Sequence, residues 1–320
     1  MKSVNLILVT GMVIISSALL AQTKGEMTFT SSSDLAKAKL KYSPPSVKDK
    51  EEIKNIINSN SAAYLKGDVN AILKYYSDQS INLSPNQMVD AGIANIRVSL
   101  EETLSYISFN KVNRSVQLIE GAGPIAVVWA KTESAIKSRS TGEIFEVHGD
   151  DIFIFQKQNN GKWQILAHHW NENGDPNGQQ SDDHSAIRQI IDKWSFSINP
   201  GEILSQKHID NYTSNFSDQA VEILPNQRSN IGIANIRLRN SGAIGMTWAQ
   251  CTGYTFDINS FATIGAKGFS KRAVAWGIGD HSNYPNGSDK LSQAIFPFAM
   301  ILTKENDSQW RILVYHFYFD

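Results

Sequence analysis

Gly92-Ile93-Ala94-Asn95-Ile96-Arg97 stands in this chain a second time, intact, as Gly232-Ile233-Ala234-Asn235-Ile236-Arg237. Ahead of that hexapeptide, Ser77-Asp78-Gln79 returns as Ser217-Asp218-Gln219 and Pro85-Asn86-Gln87 as Pro225-Asn226-Gln227, at one offset of 140 (217 − 77). Toward the C-terminus the offset grows to 147 (276 − 129), and Trp129, Trp163 and His169 return as Trp276, Trp310 and His316. Toward the N-terminus it shrinks to 134 (187 − 53), and Ile53, Ile56 and Ile57 return as Ile187, Ile190 and Ile191. Matches in one order with small changes of offset mean that a whole domain was duplicated. Two copies of this length make tandem domains, and 320 residues suit two units of roughly 100–150 residues each.

Each copy has the same coarse layout. In the first, Ile53, Ile56 and Ile57 lead a run to Tyr64 with helical spacing. Gly67 ends that helix and Asp68 caps the next, whose apolar stripe is Val69, Ile72, Leu73 and Tyr76. A short strand, Ser80 to Leu83, runs into the turn Pro85-Asn86, and Ile93 to Ile107 reads as a third helix. Three strands follow, Ile125–Thr132, Ile144–Phe155 and Trp163–Trp170, with Asn159-Asn160-Gly161 as the hairpin turn between the last two. The expected class is α+β, two tandem domains, each of about three helices followed by a mainly antiparallel sheet.

Composition sets limits on function. With 41% hydrophobic and 19% charged residues the chain can build two cores, and a net charge of −1 without a basic block argues against nucleic acid as a partner. The single cysteine, Cys251, forms no internal disulfide, and no Cys/His cluster has metal-site spacing. No cofactor or metal is expected. Lys2 followed by the apolar run Leu6 to Leu20 and by Ala21-Gln22 reads as a secretory signal over residues 1–21, which implies a secreted or periplasmic protein with no membrane contact after cleavage. Residues 22–45 read as a flexible leader, 46–172 as the first domain, 173–182 as a polar linker and 183–320 as the second domain.

The run Ile53 to Asn86, with its Gly-Asp break between helices and its strand and Pro turn, resembles the SnoaL-like and ketosteroid-isomerase-like families of the nuclear-transport-factor-2-like superfamily. The ending Gly161-Lys162-Trp163-Gln164-Ile165-Leu166-Ala167-His168-His169 is similar to their closing strand, and the second copy keeps Trp310, Ile312, Leu313 and His316. The resemblance implies two tandem cone-shaped domains, each a curved, mainly antiparallel sheet wrapped around about three helices, with a pocket between them. The family includes isomerases, cyclases, dehydratases and binding modules, so it does not assign chemistry.

Candidate chemistry concentrates in the first copy. On strict alternation Trp129 and Glu133 share one strand face, His148 and Asp150 another, and His169 shares the face of Trp163, Ile165 and Ala167. A carboxylate beside a histidine in an apolar cone shifts its pKa toward neutrality, as general acid–base work requires. Glu133, His148, Asp150 and His169 are therefore the candidate catalytic set, with Tyr64, Tyr75 or Tyr76 as hydroxyl donors, and Tyr64, Tyr76, Trp129, Trp163, Trp276, Trp310 and His316 as candidate pocket walls. Structural readings compete with each: His169 and His316 as hydrogen-bond closures at a sheet end, Trp163 and Trp310 as core, Asp150 and Asp151 as a strand end or bulge, Glu133 and Asp280 as solvated strand ends. The second copy has Pro297 and Phe298 where the first has Asp150 and Asp151, and Tyr315 and Phe317 where it has His168 and Trp170, so its pocket is expected to be apolar.

Two functions of different kinds remain: a module that binds a small apolar ligand or a partner in its cones, which is favoured, and an acid–base isomerase, dehydratase or cyclase working from the first cone. The outer faces of the closing strands carry little charge, so the two copies are expected to pair within one chain, with Trp170 and Phe317 near the contact and a monomer in solution.

Overall fold

The computed structural model describes residues 42–84, 89–172, 186–187, 189–191, 203–224, 229–242, 244, 247–250, 261–264, 272–284, 292–305 and 307–318. The signal, most of the leader, the linker, the Pro85-Asn86 turn and Cys251 lie outside these residues.

The first unit opens with helix α1, Val47–Lys66. Ser46 and Asp49 close a capping box at its start, and Gly67 ends it in the left-handed region at φ 65°. Asp68 caps the five-residue α2, Val69–Leu73, through the Ala71 amide. The helix stops there, and Tyr76 is the first residue of strand β1, Tyr76–Leu83, instead of the last of a helical stripe. Strand β2, Asp90–Ala91, leads into helix α3, Ile93–Tyr106. Four strands follow: β3 Ile107–Ala122, β4 Ile125–Ser138, β5 Ile144–Lys157 and β6 Trp163–Glu172. The sheet order is β2-β1-β6-β5-β4-β3, antiparallel except between β1 and β6.

Strand β3 was not legible as a strand. Against β4 its pairing skips Asn110 and again Gln117. Each skip reverses which face the following residues take. Phe109, Val116 and Ile119 join the core beneath the helices although their numbers do not alternate in step.

The second unit repeats this plan: helical residues at 186–187 and 189–191, α4 Gln206–Thr213, β7 Phe216–Ile223, β8 Asn230–Ile231, α5 Ile233–Ser241, β9 Thr247–Gln250, β10 Phe261–Ile264, β11 Arg272–Tyr284, β12 Ser292–Lys304 and β13 Trp310–Phe317. Its order, β8-β7-β13-β12-β11-β10, follows that of the first sheet, and β9 pairs with β11 as a seventh strand. The matching hexapeptides do the same work in both. Gly92 and Gly232 start α3 and α5 at φ 85° and 79°, and their amides bond to Ser80 O and Ala220 O at 2.7 Å each. At Gly92, with ψ 146°, a side chain is strained, so Gly92→Ala is expected to cost about 1–3 kcal/mol, read as a lowered denaturant midpoint. An unchanged midpoint would mean that the corner relaxes freely. Both units are thus α+β cones, each a curved and mainly antiparallel sheet around its helices, the architecture the resemblance implies.

Each cone has its own core between helices and sheet. In the first this holds Ile53, Ile57, Phe153, Phe155, Trp163 and Ile165, and in the second Ile187, Ile191, Phe298, Met300, Trp310 and Ile312. A third cluster lies between the two sheets. The first sheet gives it Ile81, Leu83, Val127, Ile154, Leu166 and Ala167, and the second the equivalent Val221, Ile223, Val274, Ile301, Leu313 and Val314. A polar bond crosses there: Arg272 Nε donates to His169 Nε2 at 2.7 Å.

Candidate functional site

The closing strand decides where the chemistry sits. Against β5, β6 pairs Phe155 with Ile165 and Ile154 with Ala167, so Leu166 is a bulge. The second unit has the same bulge at Leu313, between Ile301↔Val314 and Leu302↔Ile312. Before the bulge Trp163 and Ile165 face the helices. After it the faces exchange, and His168 turns inward while His169 turns to the other sheet.

This corrects the expectation that His169 shares the Trp163 face. Its Nδ1 bonds to Leu83 O at 3.0 Å and its Nε2 accepts from Arg272. His316 repeats the first contact, Nδ1 to Ile223 O at 3.1 Å. Trp170 and Phe317 were expected at the contact between sheets. Phe317 instead lies in the core of the second cone, and Trp170, opposite Asp151 in the ladder, bonds to Ser84 Oγ at 3.1 Å. Asp150 is buried but faces away from the cone interior, and accepts from Trp129 Nε1 at 2.9 Å. Glu133 stands opposite His148, is half exposed, and pairs with Lys111 at 2.8 Å. Glu133, His148, Asp150 and His169 therefore do not converge on the cone interior. Trp129 and Trp276 belong to the cluster between the sheets, whereas Trp163 and Trp310 sit in the cone cores, with Trp163 Nε1 donating to Asp49 at 2.9 Å.

One residue along from the expected pair, a different set meets inside the first cone. His168 Nε2 lies 2.8 Å from Asp151 Oδ1, and its Nδ1 lies 3.1 Å from the Tyr76 hydroxyl. The ring stacks on Phe153 at 4.3 Å between centroids. The other carboxylate oxygen of Asp151 accepts from Arg114 Nε at 2.6 Å and from the Thr132 hydroxyl. Arg114 Nη1 reaches helix α1, donating to Asn60 Oδ1 at 2.9 Å and Ser61 Oγ at 3.1 Å. Its guanidinium lies over the rings of Tyr64 and Phe153. Asp151 and His168 are each 2% exposed, so a mispaired charge here would be costly.

The charges are settled by neighbours. Burial alone would raise the Asp151 carboxyl, but Arg114, His168 and Thr132 hold it well below the usual carboxylate range. Burial lowers His168 despite the pull of Asp151, so the ring is neutral. Burial also raises the hydroxyls of Tyr76 and Tyr64, which keep their protons. An ionised carboxylate only accepts, so Nε2 of His168 carries the ring proton and Nδ1 accepts from the Tyr76 hydroxyl. The chain Tyr76–His168–Asp151–Arg114 is a directed set of donors ending on one carboxylate.

Toward the rim the same inner face is apolar. Phe109, Ile136 and Phe145 are direct cross-strand partners in a row over β3, β4 and β5. Phe145 is 48% exposed, and Tyr64 packs edge-on to Phe109 at 5.4 Å. Arg114 has no signal in the sequence, because the two skips in its strand leave no alternation. The adjacent pairs Asp150-Asp151 and His168-His169 were visible, but alternation without the bulge selects the wrong member of the histidine pair.

The second cone has replaced the set: Phe216 stands for Tyr76, Phe298 for Asp151 and Tyr315 for His168, and all three pack in its core. It is not wholly apolar, however. Glu222, fully buried, accepts from Asn230 Nδ2 at 2.9 Å and pairs with Arg239 at 3.3 Å. In the first cone the matching positions are Asn82, Asp90 and Ser99, with Ser99 Oγ donating to Asp90 at 2.7 Å. The carboxylate has moved across one strand pair.

No family model and no curated protein matches the sequence. Solved structures do. A ketosteroid isomerase-like protein from Erwinia carotovora atroseptica is similar over 38% of this chain and 94% of its own, at 16% identity and TM-score 0.37. A nuclear transport factor 2-like superfamily protein from Salmonella enterica serovar Typhimurium covers 38% of this chain and 89% of its own, at 18% identity and TM-score 0.34. A third, a protein of unknown function of the same kind from Pseudomonas putida, covers 39% and 87%, at 16% identity and TM-score 0.31. These likenesses concern fold, each over the length of one cone, and carry no activity to this chain.

Proposed function

We propose that the first cone binds a small, mostly apolar molecule, with the second cone as its packing partner within the same chain. The observation that carries this reading is the apolar row Phe109–Ile136–Phe145, which leads from an exposed rim toward the buried Arg114–Asp151–His168–Tyr76 set. A row of this kind buries the body of a ligand and the polar end fixes its orientation. Arg114 and Asp151 cancel in charge, which favours an uncharged ligand over an ion. The closed cluster between the sheets supports pairing of the two cones, and the apolar run Leu6 to Leu20 supports export. Native mass spectrometry of the gently purified protein is the test. A bound compound is expected in the wild type, with at least ten-fold lower occupancy in Phe145→Asp. Protein that carries nothing, and takes up none of a panel of uncharged apolar compounds, overturns the proposal.

A second reading, acid–base chemistry on that compound, is favoured by the Tyr76–His168–Asp151 chain, whose histidine and carboxylate stand within proton-transfer reach. It is separated from binding alone by Tyr76→Phe. Turnover of the co-purified compound lost at unchanged occupancy supports catalysis, and no turnover by the wild type rejects it.

A further inference from the structure

We infer that Arg114 is a positioning residue: acting through Asp151, it fixes which nitrogen of His168 carries the proton, and so makes Tyr76 a donor into the ring. The argument is one of proton count in a closed space. Asp151 has three donors around it, from Arg114, Thr132 and His168, and of these only the guanidinium brings a full charge when the ring is neutral. With Arg114 in place, an ionised Asp151 and a neutral His168 leave the group without net charge. The carboxylate then demands a proton from Nε2, and Nδ1 is left as an acceptor facing Tyr76.

Without the guanidinium the same neutral balance requires one more proton on the Asp151–His168 pair. If the carboxyl takes it, Asp151 donates to Nε2 and the ring proton moves to Nδ1, which reverses the bond with Tyr76. If the ring takes it, both nitrogens are donors. In either case Nδ1 no longer accepts. Arg114 itself is held from the opposite side by Asn60 and Ser61 of α1, so the first helix is tied to the protonation state of the last strand. The second cone agrees with this linkage. Where Asp151 is replaced by Phe298, the histidine is replaced too, by Tyr315.

The inference concerns the polar set used in the proposed function but does not depend on any ligand, and its test reads the ring itself. Nitrogen NMR of histidine-labelled protein at pH 7 is expected to show His168 with a pyridine-type Nδ1 and a pyrrole-type Nε2. Arg114→Lys, which keeps the charge, is expected to keep that pattern. Arg114→Met is expected to lose it, with Nδ1 becoming protonated. Asn60→Ala loosens the anchor without changing charge, so it should lower the unfolding midpoint and leave the ring pattern alone; this separates positioning from simple support. A folded Arg114→Met protein with the wild-type pattern overturns the inference. If that variant does not fold, the wild-type spectrum still decides: a proton found on Nδ1 of His168 overturns it as well.

Discussion

Asp151→Ala is expected to cost about 3–5 kcal/mol of stability, because removing one member of a buried ion pair strands the other. Arg114 and Asp151 have side chains 6% and 3% exposed and meet at 2.6 Å. Loss of the carboxylate leaves the guanidinium charged, with the neutral oxygens of Asn60 and Ser61 as its remaining acceptors among the described residues. His168 Nε2 and the Thr132 hydroxyl lose their acceptor at the same time. Urea denaturation reads the loss directly. The double variant Arg114→Met with Asp151→Leu is expected to be clearly more stable than Asp151→Ala, since an apolar pair needs no counter-charge. An Asp151→Ala protein with the wild-type midpoint would show that the pair is idle.

Mild acid is expected to destabilise the protein by roughly 4 kcal/mol between pH 7 and pH 5 through two histidines, each worth about 1.4 kcal/mol per pH unit once titration begins. Burial pushes His169 down to about 3, with Arg272 adding to it, and pushes His316 down to about 4. In the unfolded chain both rings take up a proton near 6.5, the ordinary value. The folded chain refuses that proton until far lower pH, so the unfolded state binds more protons in between. Stability is therefore whole above about pH 6.5 and falls as pH drops toward the folded values. His168, also lowered by burial, adds in the same direction. Denaturant midpoints at pH 7 and pH 5 measure the slope, and His316→Leu should remove about half of it. Equal midpoints at both values would mean that the rings are reached by water. The interface between the sheets should yield first, because a protonated His169 would face the Arg272 guanidinium at hydrogen-bond distance.

The elements with strong local signals were readable from sequence. Ser46 to Gly67 carries a cap, an isoleucine stripe and a left-handed stop, and it forms α1. Trp163 and Ile165 face the helices as alternation requires. Strand β3 failed for a local reason of the opposite kind, since two skipped residues leave no period to detect. Arg114, the residue that sets the charge of the first cone, was lost with it.

By itself, then, the repeated hexapeptide and its shifting offsets determined that two copies of one α+β plan stand in tandem, because each copy of a motif keeps the same turn and cap chemistry wherever it sits. The sequence also determined that the second copy lacks the Asp151 and His168 equivalents. Which histidine and which carboxylate meet was decided only in the tertiary structure. A bulge exists only relative to a neighbouring strand, and the one at Leu166 is defined by its pairing with Ile154 and Phe155. That single extra residue sends His169 to the other sheet and brings His168 within reach of Asp151 and Tyr76, since in a strand a slip of one residue exchanges the two faces.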